Sequence, residues 1–222
     1  MGLLNNHIFV SVLMAALLLV SAVVHEMAHA LVAYLCGDMT AKSQGRLTPN
    51  PLAHLDPFGS FVLPLLMALS GGPVFAYAKP VPYNPNNLRK PVRDEVLVAL
   101  AGPLSNLLQA ILGGLVVRLL FDFIGITQEW QFVVAQVAYL YVYVNVSLML
   151  FNLIPLPPLD GSAIISPLLH GKARQPYYKV QRYSLPILIA LLYFGPTILG
   201  FDPLGAYLSG VGDAIIDLIA GA

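Results

Sequence analysis

The chain has 222 residues, of which 58% are hydrophobic and only 10% are charged, and its formal net charge is zero. This composition excludes a soluble globular domain and gives no basis for binding nucleic acid, so it predicts an integral membrane protein in a lipid bilayer. The single cysteine, Cys36, excludes an internal disulfide.

The first predicted element is a helix over residues 8–35, in which Glu26 is the only charged side chain. Such a helix would be about 42 Å long, enough to cross a bilayer with some tilt. It carries the pattern H-E-x-x-H, with His25 and His29 four residues apart on one face. Two imidazoles at this spacing can bind one Zn²⁺, and Glu26 beside them can accept a proton from water. An ionisable residue inside a membrane is costly, so the pattern indicates a functional site.

A polar stretch, 38–57, follows the first helix. Within it, residues 39–43 and 46–48 lie on either side of Gln44-Gly45, a pair typical of a tight turn. The pattern predicts a short β-hairpin whose exposed edge could hold a substrate in extended form. A plain connecting loop is the alternative interpretation of the same residues.

The next apolar stretch, 58–78, is interrupted by Pro64 and by Gly71-Gly72-Pro73. Basic residues cluster on both sides of it, and the positive-inside rule places every basic cluster on the cytoplasmic side. The clusters are Lys42 and Arg46; Lys79, Arg89, Lys90 and Arg93; and Lys172, Arg174, Lys179 and Arg182. Stretch 58–78 is therefore predicted to be re-entrant, returning to the side from which it entered.

Three further membrane spans are predicted, over residues 94–121, 131–152 and 185–199, and the residues after 202 are expected to lie outside the membrane. The fold class is thus an all-α polytopic membrane protein with about four full transmembrane helices, a re-entrant segment and a short β-hairpin. Because 58–78 returns to its own side, the first and third spans are expected to run parallel.

A proline-rich motif follows the third span, from Asn152 to Asp160-Gly161, with Pro155, Pro157 and Pro158 between them. The prolines end the helix and force an extended run. Parallel spans bring Asp160 to the depth of His25, nearer the cytoplasmic side. A catalytic zinc commonly has three protein ligands, so Asp160 is the predicted third ligand, and an Asx-turn or helix cap is its alternative role.

Three other polar residues are candidates for contacts to substrate or to the oxyanion: Asn152, His54 and Asn106. Asn152 could instead bond carbonyls freed where the helix breaks, and His54 could be a loop histidine bonded to Asp56. Asn106 follows Gly102-Pro103, a pair that kinks a helix and frees backbone groups for polar side chains to satisfy.

Together the H-E-x-x-H helix, the Gly102-Pro103-Leu-Ser-Asn106 stretch and the proline-rich Asp-Gly motif resemble the site-2 protease family of intramembrane zinc metalloproteases. The resemblance covers about residues 8–170, the predicted catalytic core. It implies that His25, His29 and Asp160 bind one zinc per chain. It also implies that Glu26 is the catalytic base and that the substrates are transmembrane segments of other membrane proteins.

The stretch from Gly45 to Gly59 resembles a compact prokaryotic branch of this family, which implies a prokaryotic cell membrane. We interpret residues 1–222 as a single transmembrane metalloprotease domain, with no room for the PDZ or CBS domains of larger members. The oligomeric state and the identity of the substrates stay open.

A non-catalytic metal-binding membrane protein or a metal transporter of the same fold is the competing interpretation. A degenerate relative would be expected to have lost Glu26 or a ligand, and all four residues are present. A transporter would place polar residues along a whole pore, whereas here they concentrate at one depth. The pattern therefore favours the peptidase.

Overall fold

The described part of the chain, residues 7–56, 62, 79–169 and 183–221 of a computed structural model, is helical and contains no β-strand. The α-helices are α1 His7–Leu35, α2 Thr40–Ser43, α3 Pro91–Arg118, α4 Glu129–Asn152, α5 Asp160–Ile165, α6 Ser184–Leu199 and α7 Pro203–Ala220. A π-helical stretch, Leu119–Ile124, continues α3. Short 3-10 turns are Pro51–Ala53, Pro85–Asn87 and Ser166–Leu168.

Four of the described helices are long and apolar enough to cross a membrane: Ile8–Leu35, Pro91–Ile124, Glu129–Asn152 and Pro203–Ala220. Large apolar side chains stay exposed along them, among them Val12, Leu108, Leu112, Leu115 and Leu218. Exposed apolar surface of this extent suits contact with lipid. The chain is thus a multi-pass integral membrane protein, as its composition predicted.

The predicted fourth span, 185–199, is not among these four helices. This segment forms α6, which has 16 residues, or about 24 Å of helix, and is shorter than the hydrocarbon core of a bilayer. The fourth helix of membrane length is instead α7, which was expected outside. It begins at Pro203, after the Asp202 side chain that caps it, and continues without a break to Ala220.

The core lies where α3, α4 and α7 pack together. Its buried apolar members are Ala110, Val117, Val142, Val146, Met149, Leu150, Ile216 and Ala220. Gly114 permits the close approach of α7, because a Cβ at this position would collide with the main chain of Ile219. Arg118 of α3 then caps the end of α7, donating from Nε to the carbonyl of Ile219 (2.9 Å) and from Nη2 to that of Leu218 (2.7 Å).

Helices α1 and α4 run in the same direction. Val10 and Phe132, near their starts, line one groove, and further along Asn145 of α4 donates to Oγ of Ser21 on α1 (2.9 Å). This parallel arrangement is the one that the sequence predicted for the first and third spans. It brings the end of α4, and the motif that follows it, to the same end of the bundle as the end of α1.

The predicted hairpin over 39–43 and 46–48 was also wrong, because Thr40–Ser43 form a turn of α-helix. Asp38 is the physical cause. Its Oδ1 accepts from the amide (3.1 Å) and the hydroxyl (2.6 Å) of Thr40, a local bond that favours a helical start over a strand. The exposed β-edge expected for substrate is therefore missing from these described residues.

The predicted re-entrant stretch 58–78 lies outside the described residues, apart from position 62. The chain on its two sides meets at one place, since the amide of Lys79 donates to the carbonyl of His54 (2.8 Å). Close by, the amide of Arg89 donates to the carbonyl of Cys36, at 3.1 Å. The end of α1 and the approach to α3 thus lie at the same end of the bundle.

Asp38 holds this end together. Its wholly buried carboxylate also accepts from the amide of Asn84 (2.8 Å) and the side chain of Asn87 (2.9 Å), so it joins the turn after α1 to the segment before α3. Burial opposes ionisation of Asp38, but the hydrogen bonds from Thr40, Asn87 and Asn84 outweigh it and hold the pKa of the carboxyl below its ordinary value.

Asp38→Ala should lower the stability of the protein by about 1–3 kcal/mol, because it leaves buried donors unpaired. A carboxyl group whose pKa is lower in the folded than in the unfolded protein stabilises the folded state at pH values above its unfolded pKa of about 3.9. This stabilisation is lost as the pH falls through the pKa of the folded state. Thermal unfolding in detergent should therefore show a midpoint that falls on acidification more steeply in wild type than in Asp38→Ala. Asp213→Ala, which removes an exposed carboxylate on α7, is the control and should behave like wild type.

Candidate metal centre

His25 and His29 lie one turn apart on α1 and point into the bundle, with 5% and 8% of their surface exposed. Their Nε2 atoms are 3.0 Å apart. The helix predicted for H-E-x-x-H is therefore present, and both imidazoles present the same nitrogen to the same point.

Asp160, the first residue of α5, completes a cluster with the two histidines. Its Oδ2 lies 3.0 Å from Nε2 of His25, and its Oδ1 lies 3.3 Å from Nε2 of His29. One ligand atom from each of these three residues lies within 4.8 Å of the others. Gly161 allows α5 to pack closely against the end of α4, because a Cβ at this position would collide with the carbonyls of Leu153 and Ile154.

The outer nitrogens of the histidines explain why the inner ones face each other. Nδ1 of His29 donates to the main-chain carbonyl of Val98 (2.6 Å), and Nδ1 of His25 bonds Oδ1 of Asn106 (2.5 Å). With the proton on Nδ1, each Nε2 carries a lone pair. Oδ2 of Asp160 is buried and has no hydrogen-bond partner among the described residues. Three acceptors that converge without a shared proton fit a bound cation.

Gly102 of α3 leaves the room that a cation needs. A Cβ built at this position would stand 2.5 Å from Nε2 of His25 and closer still to Nε2 of His29. The sequence pattern predicted only a kink at Gly102-Pro103 and gave no sign of this clearance. The hydroxyl of Ser105 does bond the carbonyl of Gly102 (2.7 Å), which satisfies backbone near the proline as expected.

Glu26 is half-buried, and its Oε2 accepts from the main-chain amide of Val81 (3.0 Å). Val81 stands between Pro80 and Pro82, so its amide is the only one that this tripeptide has to offer. The bond leaves the other carboxylate oxygen of Glu26 for a further partner. A backbone donor of this kind leaves no signal in a sequence pattern, which is why it was missed.

Of the other predicted contact residues, Asn106 bonds His25, whereas His54 and Asn152 bond main-chain carbonyls outside the three-residue cluster. His54 is 1% exposed and its Nε2 bonds the carbonyl of Thr48 (2.9 Å), while the amide of Asn152 donates to the carbonyl of Leu148 in its own helix (3.0 Å). Asn106 is wholly buried behind His25. Roles for His54 and Asn152 at the substrate stay predictions.

Comparison with known proteins supplies an independent observation. The sequence model of Peptidase family M50 matches residues 13–123 and 116–195. YwhC of Bacillus subtilis, named as a candidate zinc metalloprotease, is 38% identical over 192 residues, which cover 86% of this chain and 81% of that protein. No solved structure matches the chain significantly.

Two mycobacterial relatives carry the same kind of name. Rip2 of Mycobacterium tuberculosis, a candidate zinc metalloprotease, is 33% identical over 183 residues, covering 82% of this chain and 67% of its own. Rip2 of Mycolicibacterium smegmatis is 29% identical over 192 residues, which cover 84% of this chain and 69% of that protein.

Gly102→Ala should weaken metal binding without removing a ligand, because the new methyl group occupies the space between the imidazoles. We expect zinc affinity to fall by at least about tenfold, the smallest loss typical of changes around a metal site. Competition with a chromophoric chelator measures it. Gly210→Ala on α7 adds the same methyl group to open space and should bind zinc like wild type. Equal affinity in the two variants would contradict the assignment of Gly102.

Proposed function

The chain belongs to peptidase family M50, the site-2 proteases, and from this premise we propose that it hydrolyses peptide bonds within or beside the transmembrane segments of other membrane proteins. The observation that carries the proposal is the convergence of His25, His29 and Asp160 beside Glu26, inside a bundle of membrane-length helices.

In this proposal His25, His29 and Asp160 hold one zinc ion per chain. When bound, zinc polarises the carbonyl of the scissile bond and makes a water molecule more acidic. Glu26, next to His25 on α1, takes the proton of that water and passes it to the leaving amine. The amide of Val81 holds one oxygen of Glu26 and so directs the other oxygen towards the reaction.

The surroundings of the cluster support a membrane-embedded substrate. Glu26 is the only charged residue between positions 8 and 35, so the reacting groups lie on an otherwise apolar helix. A transmembrane helix hides its peptide bonds in its own hydrogen bonds, so a substrate has to unwind locally before it can react. Substrates with glycine or proline near the cleaved bond should therefore be preferred.

We place the metal end of the bundle on the cytoplasmic side of a prokaryotic cell membrane. The basic residues Lys42, Lys79, Arg89 and Lys90 are exposed at the end where α1 stops and α3 begins. The positive-inside rule assigns such an end to the cytoplasm. Water then has a short path to the cluster.

The alternative is a non-catalytic metal-binding protein or a transporter. It would need the three ligands but not Glu26, whose carboxylate is retained and held by Val81. Variants that separate metal binding from cleavage distinguish the two functions.

Asp160→Ala should lose most of its zinc, whereas Glu26→Gln should keep it, because only the first substitution removes a ligand. Cleavage should fall by about 10²–10⁴-fold in Glu26→Gln, the usual contribution of a general base. Metal analysis of the purified proteins gives the zinc content. Retention of zinc in Asp160→Ala would contradict the ligand assignment.

Cleavage is measured in liposomes with two single-span fusion proteins as probes, one with an uninterrupted leucine-rich segment and one with a Gly-Pro pair in it. Wild type should cut the second probe faster, and mass spectrometry locates the cut. Equal product from wild type and Glu26→Gln would contradict the catalytic role of Glu26. Failure of zinc-loaded wild type to cut either probe would favour the non-catalytic alternative.

The native cysteine tests the orientation. Cys36 follows α1 at the metal end and is half-buried, and burial raises the pKa of its thiol, so labelling should be slow but should speed up at alkaline pH. A membrane-impermeant maleimide should label it in inside-out vesicles and not in right-side-out ones. Cys36→Ser combined with Thr127→Cys, at the opposite end, should show the reverse. Labelling of Cys36 in right-side-out vesicles would contradict the proposed orientation.

A further inference from the structure

A line of hydrogen bonds runs from His25 into the bundle through Asn106 and Asn145, which we call the asparagine relay. Nδ1 of His25 bonds Oδ1 of Asn106 (2.5 Å), and Nδ2 of Asn106 donates to Oδ1 of Asn145 (2.9 Å). Nδ2 of Asn145 donates both to the carbonyl of Tyr141 and to Oγ of Ser21, each at 2.9 Å. Both asparagines are wholly buried.

The main-chain carbonyl of Tyr141 determines which groups donate and which accept along the asparagine relay. An amide side chain has nearly the same shape in its two orientations, so its direction is decided by the chemistry of its partners. A main-chain carbonyl can only accept, which turns the NH₂ group of Asn145 towards Tyr141 and its oxygen towards Asn106. Asn106 must then donate to Asn145 and present its own oxygen to His25.

The consequence for His25 is a defined tautomer. An oxygen that faces Nδ1 requires the ring proton on Nδ1, and the lone pair then lies on Nε2, which faces Asp160. The neighbouring ligand needs no relay, because His29 donates directly to the main-chain carbonyl of Val98. His25 depends on side chains that can rotate, so something has to hold them.

We propose that Asn145 and Asn106 are positioning residues that keep the proton of His25 on Nδ1 and its Nε2 available to the metal. The proposal rests on the proposed function, since the metal is that of the peptidase site. Asn106 is wholly buried, so it acts through His25 and not on the substrate. Without Asn145, the side-chain amide of Asn106 is free to turn and offer an N–H group to Nδ1 of His25. The ring proton of His25 then moves to Nε2, where the metal has to displace it.

Zinc affinity, measured by chelator competition on the purified full chain, tests the relay without any substrate. Asn106→Leu should bind zinc about 10–100-fold more weakly, as expected when a hydrogen-bond partner of a metal ligand is removed. Asn145→Leu should bind zinc about tenfold more weakly, at the lower end of that range, because Asn106 remains but its side-chain amide is no longer held in one orientation.

Asn145→Asp distinguishes a role of Asn145 in orienting the amide of Asn106 from a role in stabilising the core alone. A neutral carboxyl at position 145 can accept from Asn106 and donate to Tyr141, and a carboxylate can still accept from Asn106, so zinc affinity should stay close to wild type. If Asn145 only stabilised the core, a buried acid would do more harm than leucine, and Asn145→Asp would bind zinc more weakly than Asn145→Leu. That order, or equal affinities in these two variants, overturns the proposal.

Gln109→Leu is the matched control. Gln109 lies on α3 one turn beyond Asn106, is 6% exposed and accepts from the hydroxyl of Tyr141 (2.5 Å), with no bond to His25. Its zinc affinity should equal that of wild type. If Asn106→Leu does not fold, the comparison of Asn145→Leu with Asn145→Asp decides. Absence of zinc from wild type would instead overturn the proposed function.

Discussion

The structure depends on the cost of placing polar groups inside a membrane. Two imidazole nitrogens and a carboxylate meet in an apolar bundle, 3.0 to 3.3 Å from one another. The outer nitrogens of both histidines are satisfied: one histidine bonds a main-chain carbonyl, and the other bonds an asparagine that is itself bonded. With the ring protons on Nδ1, the two Nε2 atoms and the carboxylate face one another as acceptors, an arrangement that a cation would stabilise.

This arrangement is built by three helices with different tasks. Helix α1 carries both histidines and Glu26, α3 supplies the partners behind the histidines, and the run after α4 delivers Asp160. The parallel course of α1 and α4 matters most, because it places the end of α4 at the depth of His29 rather than on the other side of the membrane. Helix α7, held by Arg118 against α3, stabilises this bundle from outside the site.

The parts of the structure that follow from local chemistry were predictable from the sequence. H-E-x-x-H on an apolar helix places two imidazoles on one face whatever surrounds them, and prolines after Asn152 end a helix in any context. The parallel course of α1 and α4 followed from the distribution of basic residues. The predicted hairpin failed because a single side chain, Asp38, favours a helical turn by bonding Thr40. The residues after 202 were expected outside the membrane, but Pro203–Ala220 form one continuous helix of membrane length.

Features that depend on distant parts of the chain were not predictable. The bond from Val81 to Glu26 and the bonds from Asn145 to Tyr141 and Ser21 join residues whose proximity no spacing rule gives. Gly102 is the clearest case, since a glycine before a proline has an ordinary local explanation as a helix kink. Its effect at the site comes from the absence of a methyl group, which is visible only after α1 and α3 are packed.

That missing methyl group bears on how relatives of this chain are classified. Members that have lost activity are usually sought by checking whether the histidines, the glutamate and the aspartate are intact. A chain can keep all four and still have the space between the imidazoles filled if a larger residue replaces the glycine at the position of Gly102. This position is therefore worth inspecting in relatives beside the four residues that carry the chemistry.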